Sequence, residues 1–192
     1  MTLALLLATG LGPRIATAQQ ATPTASRPMD LSLFGAVSGV NTGLSGGRNA
    51  SLTIGGDLGF APFLGLQPAL EVRATLPLDK GVIDSQKDLL GGLRVNFLLA
   101  HRIHPYGDFL YGRGQVNYPG AGYLYNDFYY FQSVGNVLSP GAGFDYDLGS
   151  HLALKVDAQF QRWGSAPTSS GTINTTVGTV GVVYRFGSRT LP

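Results

Sequence analysis

Cysteine is absent from the 192-residue sequence, and charge is scarce. Asp, Glu, Lys and Arg together make up 12 %, about half the roughly 25 % of an ordinary soluble domain. The first absence excludes disulfide frameworks, thiolate metal sites, cysteine nucleophiles and cysteine-borne lipid anchors. It does not assign the cytosol, because a cysteine-free chain also crosses an oxidising compartment without mispairing. Thirteen basic against eleven acidic residues leave a net +2, too small and too dispersed for a nucleic-acid groove, so no nucleic-acid partner is expected. Beyond the N-terminus no run of roughly 18 apolar residues exists, which excludes a transmembrane helix. Yet 44 % of the residues are hydrophobic. A greasy, charge-poor chain with no helical way into a membrane needs another architecture.

The N-terminus carries an export pattern. Leu3-Ala4-Leu5-Leu6-Leu7-Ala8 forms a short apolar core, and Ala16-Thr17-Ala18 is a small-x-small cleavage site. Residues 1–18 are therefore expected to be a secretory signal peptide; no Lys or Arg precedes the apolar run, as a clipped start would leave it. Residues 19–29, mostly QQATPTASRP, are polar and rich in Pro and Thr, and read as a disordered lead-in.

From Asp30 to Phe186 a two-residue period outscores the helical one eight times, over residues 31–40, 51–60, 66–76, 88–99, 103–114, 134–148, 152–163 and 175–186. In the second segment Leu52, Ile54, Gly56, Leu58 and Phe60 oppose Ser51, Thr53, Gly55, Asp57 and Gly59. In the seventh, Leu152, Leu154, Val156, Ala158 and Phe160 oppose Lys155, Asp157, Gln159 and Gln161. Segments of about ten residues suit tilted strands crossing a bilayer. The connections predict alternating lengths: long at 41–50, 77–87 and 115–133 and medium at 164–171, tight at 61–65, 100–102 and 149–151. Long outer loops and short inner turns sort this way in membrane barrels.

The ions share the polar face of their strands: Asp57, Glu71, Arg73, Asp88, Arg94, Asp108, Asp145, Asp147, Lys155, Asp157 and Arg185. Gly55, Gly59, Gly92, Gly112, Gly141, Gly143 and Gly181 lie on the same face. Small residues serve no purpose on a solvated surface but fit a narrow lumen, where the charges can pair. The expected fold is all-β: an eight-stranded antiparallel up-and-down transmembrane barrel over 30–186, its polar interior filled by side chains, since eight strands leave no open pore. The opposing reading is a soluble, exported, lipocalin-like barrel, whose apolar face would point inward around a ligand.

The last segment, VGTVGVVYRF, places Val180, Val182, Tyr184 and Phe186 at every second position. It resembles the C-terminal strand of bacterial outer-membrane barrels, and a tail, 187–192, follows it. With the signal and the eight segments, the chain is similar to the OmpA/OmpX-type small outer-membrane barrels. That resemblance implies location in a bacterial outer membrane, surrounding lipid as a partner, and reading of the last strand by the barrel-assembly machinery during insertion. It implies a scaffold that displays four external loops, in a family that spans adhesins and stress-related proteins.

The third long loop concentrates Tyr118, Tyr123, Tyr125, Phe128, Tyr129, Tyr130 and Phe131. They read as an aromatic girdle at the outer lipid interface, or as a protruding hairpin stacking on glycans or another extracellular surface. Lipid A-modifying barrels use a His with a Ser near the interface. Here Ser150 and His151 are adjacent and point apart, and no His-x-Ser pair occurs. His101 and His104 have only Asp108 as a nearby carboxylate, so no metal site is expected. The expectation is a non-catalytic monomer without cofactor or wide pore.

Overall fold

The computed structural model describes residues 29–79, 84–98, 102–164 and 166–186. The signal segment, residues 19–28 of the lead-in, the tail 187–192 and His101 lie outside them. Where the sequence alternates, the backbone is extended: β1 (Asp30–Asn41), β2 (Arg48–Gly59), β3 (Leu66–Pro77), β4 (Ser85–Phe97), β5 (Ile103–Asn117), β8 (Gln132–Asp147), β9 (Leu152–Gly164) and β10 (Thr172–Arg185). Two short strands, β6 (Tyr123–Tyr125) and β7 (Phe128–Tyr130), form a hairpin between β5 and β8.

Each long strand pairs antiparallel with its neighbours, and β10 returns to β1, from Ser32 opposite Arg185 to Asn41 opposite Thr176. The sheet is thus a closed barrel without edges, the β-form that satisfies its own backbone where no water is present. The chain termini at Asp30 and Arg185 share one end with the turns 60–65, 98–102 and 148–151; the loops 42–47, 78–84, 118–131 and 165–171 share the other. These are the turn end and the loop end below.

The strict alternation of connection lengths fails at its first pair: 42–47 and 60–65 are equally long. The cause is continued pairing. β1 and β2 stay in register out to Asn41 opposite Arg48, which draws both ends of the polar stretch 41–50, Asn41 and Arg48–Ala50, into the ladder. The same extension claims Ser85–Lys87 for β4 and Gln115–Asn117 for β5.

Side-chain polarity is inverted relative to a soluble barrel. Val37, Val72, Leu93, Phe109 and Phe160 face outward and are exposed, whereas Glu71, Arg73 and Lys155 are fully buried inside. On β9 the outward apolar row runs from Leu152 to Phe160. At roughly 3.3 Å per residue it covers about 26 Å of strand, or about 20 Å along the barrel axis at a tilt of about 40°. That approaches the apolar band, about 25 Å tall, of transmembrane barrels. Leu93 lies mid-belt on β4. Leu93→Arg is expected to destabilise the vesicle-folded protein by about 2–4 kcal/mol, read from urea unfolding, whereas Leu124→Arg on the exposed hairpin should cost nothing. Equal effects at both positions would refute a lipid-facing belt.

Candidate functional site

The lumen has two storeys. Towards the turn end it is a network of ions. β3 is buried on its inner face at Glu71 and Arg73, two positions apart, so Arg73 Nε donates to Glu71 Oε1 at 2.7 Å. The same guanidinium crosses the barrel to Asp157 on β9, Nη2 to Oδ2, at 3.1 Å. Arg94 on β4 reaches Asp57 on β2 at 3.2 Å and Asp145 on β8 at 2.6 Å, and its guanidinium carbon lies 3.5 Å from the centre of the Tyr106 ring. Asp147 receives Arg185 and, at 2.7 Å, His104 Nε2. Lys155 is held differently. Its ammonium sits 3.7 Å from Asp157 and 4.5 and 4.4 Å from the ring centres of Phe34 and Tyr106, a cation between two π-faces.

Above this network Gln159 Nε2 donates to both oxygens of Asp108, and Gln161 Nε2 to Asp88 at 3.2 Å. Gln161 Oε1 accepts from Trp163 Nε1 at 3.0 Å, where polar gives way to apolar. The loop-end storey consists of Leu90, Leu110, Val116, Val137, Trp163 and Ile173, all buried, with Leu44, Tyr118 and Ala166 from the loops closing over them and Tyr123 packed against the cluster. A polar clasp secures the lid. Thr42 Oγ1 donates to Asp84 Oδ1 at 2.8 Å, and Thr175 Oγ1 to Gln86 Oε1 at 3.0 Å. Burial pushes the Asp84 carboxyl above its ordinary value, against the hydrogen bonds from Thr42 and Gln86 that favour its charged form.

The ten charged residues singled out from the sequence, Asp57, Glu71, Arg73, Asp88, Arg94, Asp108, Asp145, Lys155, Asp157 and Arg185, all face the lumen. Asp88 stands apart from the ion network, nearer the loop end than Leu90 on its own strand and bonded to Gln161. The apolar storey is what the sequence reading missed, since it treated the polar face as polar throughout. A signal was present: Leu90, Leu110, Val137, Trp163 and Ile173 interrupt the polar faces, Leu110 at the middle of its strand and the others in the loop-end half of theirs.

The loop aromatics divide. Tyr118 is buried and its ring lies 5.5 Å from that of Tyr123, so these two belong to the lid and not to a lipid girdle. Tyr125, Phe128, Tyr129 and Tyr130 ride on the β6–β7 hairpin, whose Asn126–Asp127 tip has positive φ at both residues, the requirement of a tight hairpin turn. Phe128, Tyr129 and Phe131 are exposed. The β5–β8 ladder continues to Asn117 opposite Gln132, well past the last outward apolar pair, Tyr111 and Leu138. The hairpin therefore stands beyond the belt.

Val180, Val182, Tyr184 and Phe186 form an exposed row, and Tyr184 contacts Phe186 edge-on at 5.1 Å and stacks on His151 at 6.0 Å. His151 Nδ1 is 3.0 Å from the Arg185 carbonyl. His104, buried against Asp147, and His151 both sit at the turn end, away from the loops.

No protein-family model matches the sequence, and no curated protein matches it. Solved structures do match. Neisserial surface protein A is similar over 82 % of this chain and 97 % of its own, at 14 % identity and a TM-score of 0.53. A de novo designed transmembrane β-barrel is similar over 83 % and 97 %, at 16 % identity and 0.48. The outer membrane enzyme PagL is similar over 81 % and 99 %, at 14 % identity and 0.47. Likeness at these identities is one of fold, and the fold is that of the small eight-stranded OmpA/OmpX-type barrels.

Proposed function

We propose that this chain works in a bacterial outer membrane as a sealed, non-catalytic scaffold, its loop end outward, holding the β6–β7 hairpin clear of the lipid for a structural or adhesive role. The observation that carries this reading is the inverted polarity: an exposed apolar belt around a buried network of Arg, Lys, Asp and Glu. Such an exterior is unstable in water, and such an interior leaves no route for a wide pore. Lipid surrounds the belt, and the row Val180, Val182, Tyr184 and Phe186 is the surface that barrel-assembly machinery would read. The position of His104 and His151 at the turn end favours a scaffold over a Ser/His enzyme working on outer-leaflet lipid.

The test is direct. The expressed protein should fractionate with outer membranes, migrate faster unheated than boiled, and give no wide-pore conductance in planar bilayers. Recovery from the periplasm without detergent would reject the membrane assignment. An adhesive role rests on the exposed rings of the hairpin. Cells displaying the protein should attach to glycan-coated surfaces, and the triple substitution Leu124→Ser, Phe128→Ser, Tyr129→Ser should abolish attachment while leaving the heat-shifted band intact. Attachment that survives it would leave the hairpin without an adhesive part.

A further inference from the structure

We propose that the loop-end rim is a binding surface for the phosphorylated headgroups of anionic lipid, formed by Arg48, Lys87, Arg113 and Arg162. The proposal rests on the outer-membrane reading above and adds the chemical class of lipid that the rim recognises.

Among the described residues, every charged side chain on the outward face of the barrel strands is basic, and all four stand at the loop end: Arg48 on β2, Lys87 on β4, Arg113 on β5 and Arg162 on β9. Their positions are tied to the edge of the apolar belt. Lys87 follows Leu89, Arg113 follows Tyr111 and Arg162 follows Phe160 at the next outward position of its strand. Arg48 lies two outward positions beyond Leu52. On these four strands the first outward polar residue beyond the apolar row is therefore a cation, where β1, β8 and β10 carry Asn41, Asn136 and Thr176.

The turn end has no such row. Its outward strand positions are Leu31, Leu66, Phe97, Ile103, Leu152 and Tyr184, and its exposed cation, Arg102, is in a turn. The asymmetry points to one leaflet.

Two features fit phosphate rather than mere solvation. Lys87 lies opposite Gln115, and Arg113 is two residues from Gln115 on the same strand. The two cations are thus diagonal cross-strand neighbours, about 7–8 Å apart at the backbone, close enough for both side chains to close on one phosphate. None of the four cations has an ion-pair partner among the described residues; Asp79, an acidic side chain of the rim, accepts from the Ala50 amide at 3.4 Å and lines a shallow groove with Arg48. That groove descends over Gly39, Gly178 and Ala50 on the outward face, which leaves room for an acyl chain beneath the headgroup. Inside the barrel, by contrast, Arg73, Arg94 and Arg185 are all neutralised by carboxylates. A chain with little charge to place has gathered its outward strand cations at one end, without ion-pair partners among the described residues. Attraction of an interfacial cation to anionic headgroups is worth roughly fivefold in association each and is screened by salt.

The test uses the full chain folded in phosphatidylcholine vesicles with traces of spin-labelled phosphatidic acid or spin-labelled phosphatidylcholine. The fraction of each label immobilised by the protein measures selectivity. Phosphatidic acid should be preferred severalfold at low ionic strength, and the preference should shrink as NaCl is raised. The fourfold variant R48Q/K87Q/R113Q/R162Q should lose it, K87Q/R113Q should lose part of it, and R102Q should keep it. Equal immobilisation of the two labels by the wild type overturns the proposal, as does selectivity that survives the fourfold substitution. Displacement by millimolar inorganic phosphate would make this a free-anion site and equally overturn the lipid assignment. The unheated gel band of each sample reports the barrel separately. Its absence from all vesicles would count against the membrane reading itself, and its presence without selectivity would count against the rim alone. Should the fourfold variant fail to fold, the double variant and the wild-type salt titration decide.

Discussion

Replacing Arg73 with Met is expected to destabilise the folded barrel by about 3–5 kcal/mol, the range for removing one member of a buried ionic group. Against a typical domain stability of about 5–15 kcal/mol that is a large fraction. The guanidinium bonds Glu71 on its own strand and Asp157 across the lumen and lies 3.8 Å from Asp108. Met fills similar space but leaves three carboxylates facing one another without water. Urea titration of the heat-shifted band in detergent measures the loss. Adding Glu71→Met to Arg73→Met should recover part of it, because the uncompensated charge, and not the missing hydrogen bonds, dominates the penalty. Lys155→Met makes the comparison. Lys155 Nζ makes no hydrogen bond, and its nearest neighbours are two aromatic rings and an Asp157 oxygen that Arg73 also serves. Its replacement should therefore cost about 1 kcal/mol or less, since an apolar side chain suits the same rings. An Arg73→Met loss as small as that of Lys155→Met would mean that the lumen is hydrated and its charges are screened.

Gly112→Val should give no folded band at all. A Cβ at Gly112 would lie 2.0 Å from the Leu89 carbonyl oxygen and 2.9 Å from the Leu90 Cα, both backbone atoms of the adjoining strand. Flexible side chains can yield to such an intrusion; a paired strand yields only by opening its ladder. The cost should exceed about 3 kcal/mol, the upper end for ordinary overpacking. Gly178 supplies the contrast. It faces outward on β10 with nothing within 4 Å of its would-be Cβ, so Gly178→Ala should be neutral or stabilising by a few tenths to about 1 kcal/mol through the unfolded chain. Folding of Gly112→Val with wild-type stability would show that β4 and β5 stand further apart than their register places them.

The same crowding explains Trp163. Its six-membered ring occupies the space a side chain at residue 114 would need: a Cβ there would stand 2.1 Å from Trp163 Cζ3. One bulky residue and one glycine on strands that do not adjoin fill the loop-end storey together, and the pair has no signature along the chain.

Strand number, strand faces and inverted polarity were legible in the sequence, because alternation is a local property. A residue two positions from Asp57 shares its face whatever the partner strand, so the segment around Leu52–Phe60 and that around Leu152–Phe160 already sorted grease from ions. Eight such segments without a long apolar run left few architectures. Closure of the barrel decided the rest. Arg73 meets Asp157 across 84 residues of sequence, and which lumen residues face one another depends on stagger and tilt, quantities that no periodicity encodes. Tyr118 became a lid residue, not an interfacial one, because the loop folds inward over Trp163, and Arg48, Lys87, Arg113 and Arg162 came to share the loop-end rim only when four separate strands were aligned. Periodicity fixes on which side of its strand a residue lies. Height along the barrel, and the neighbours found at that height, arise only when the sheet closes on itself.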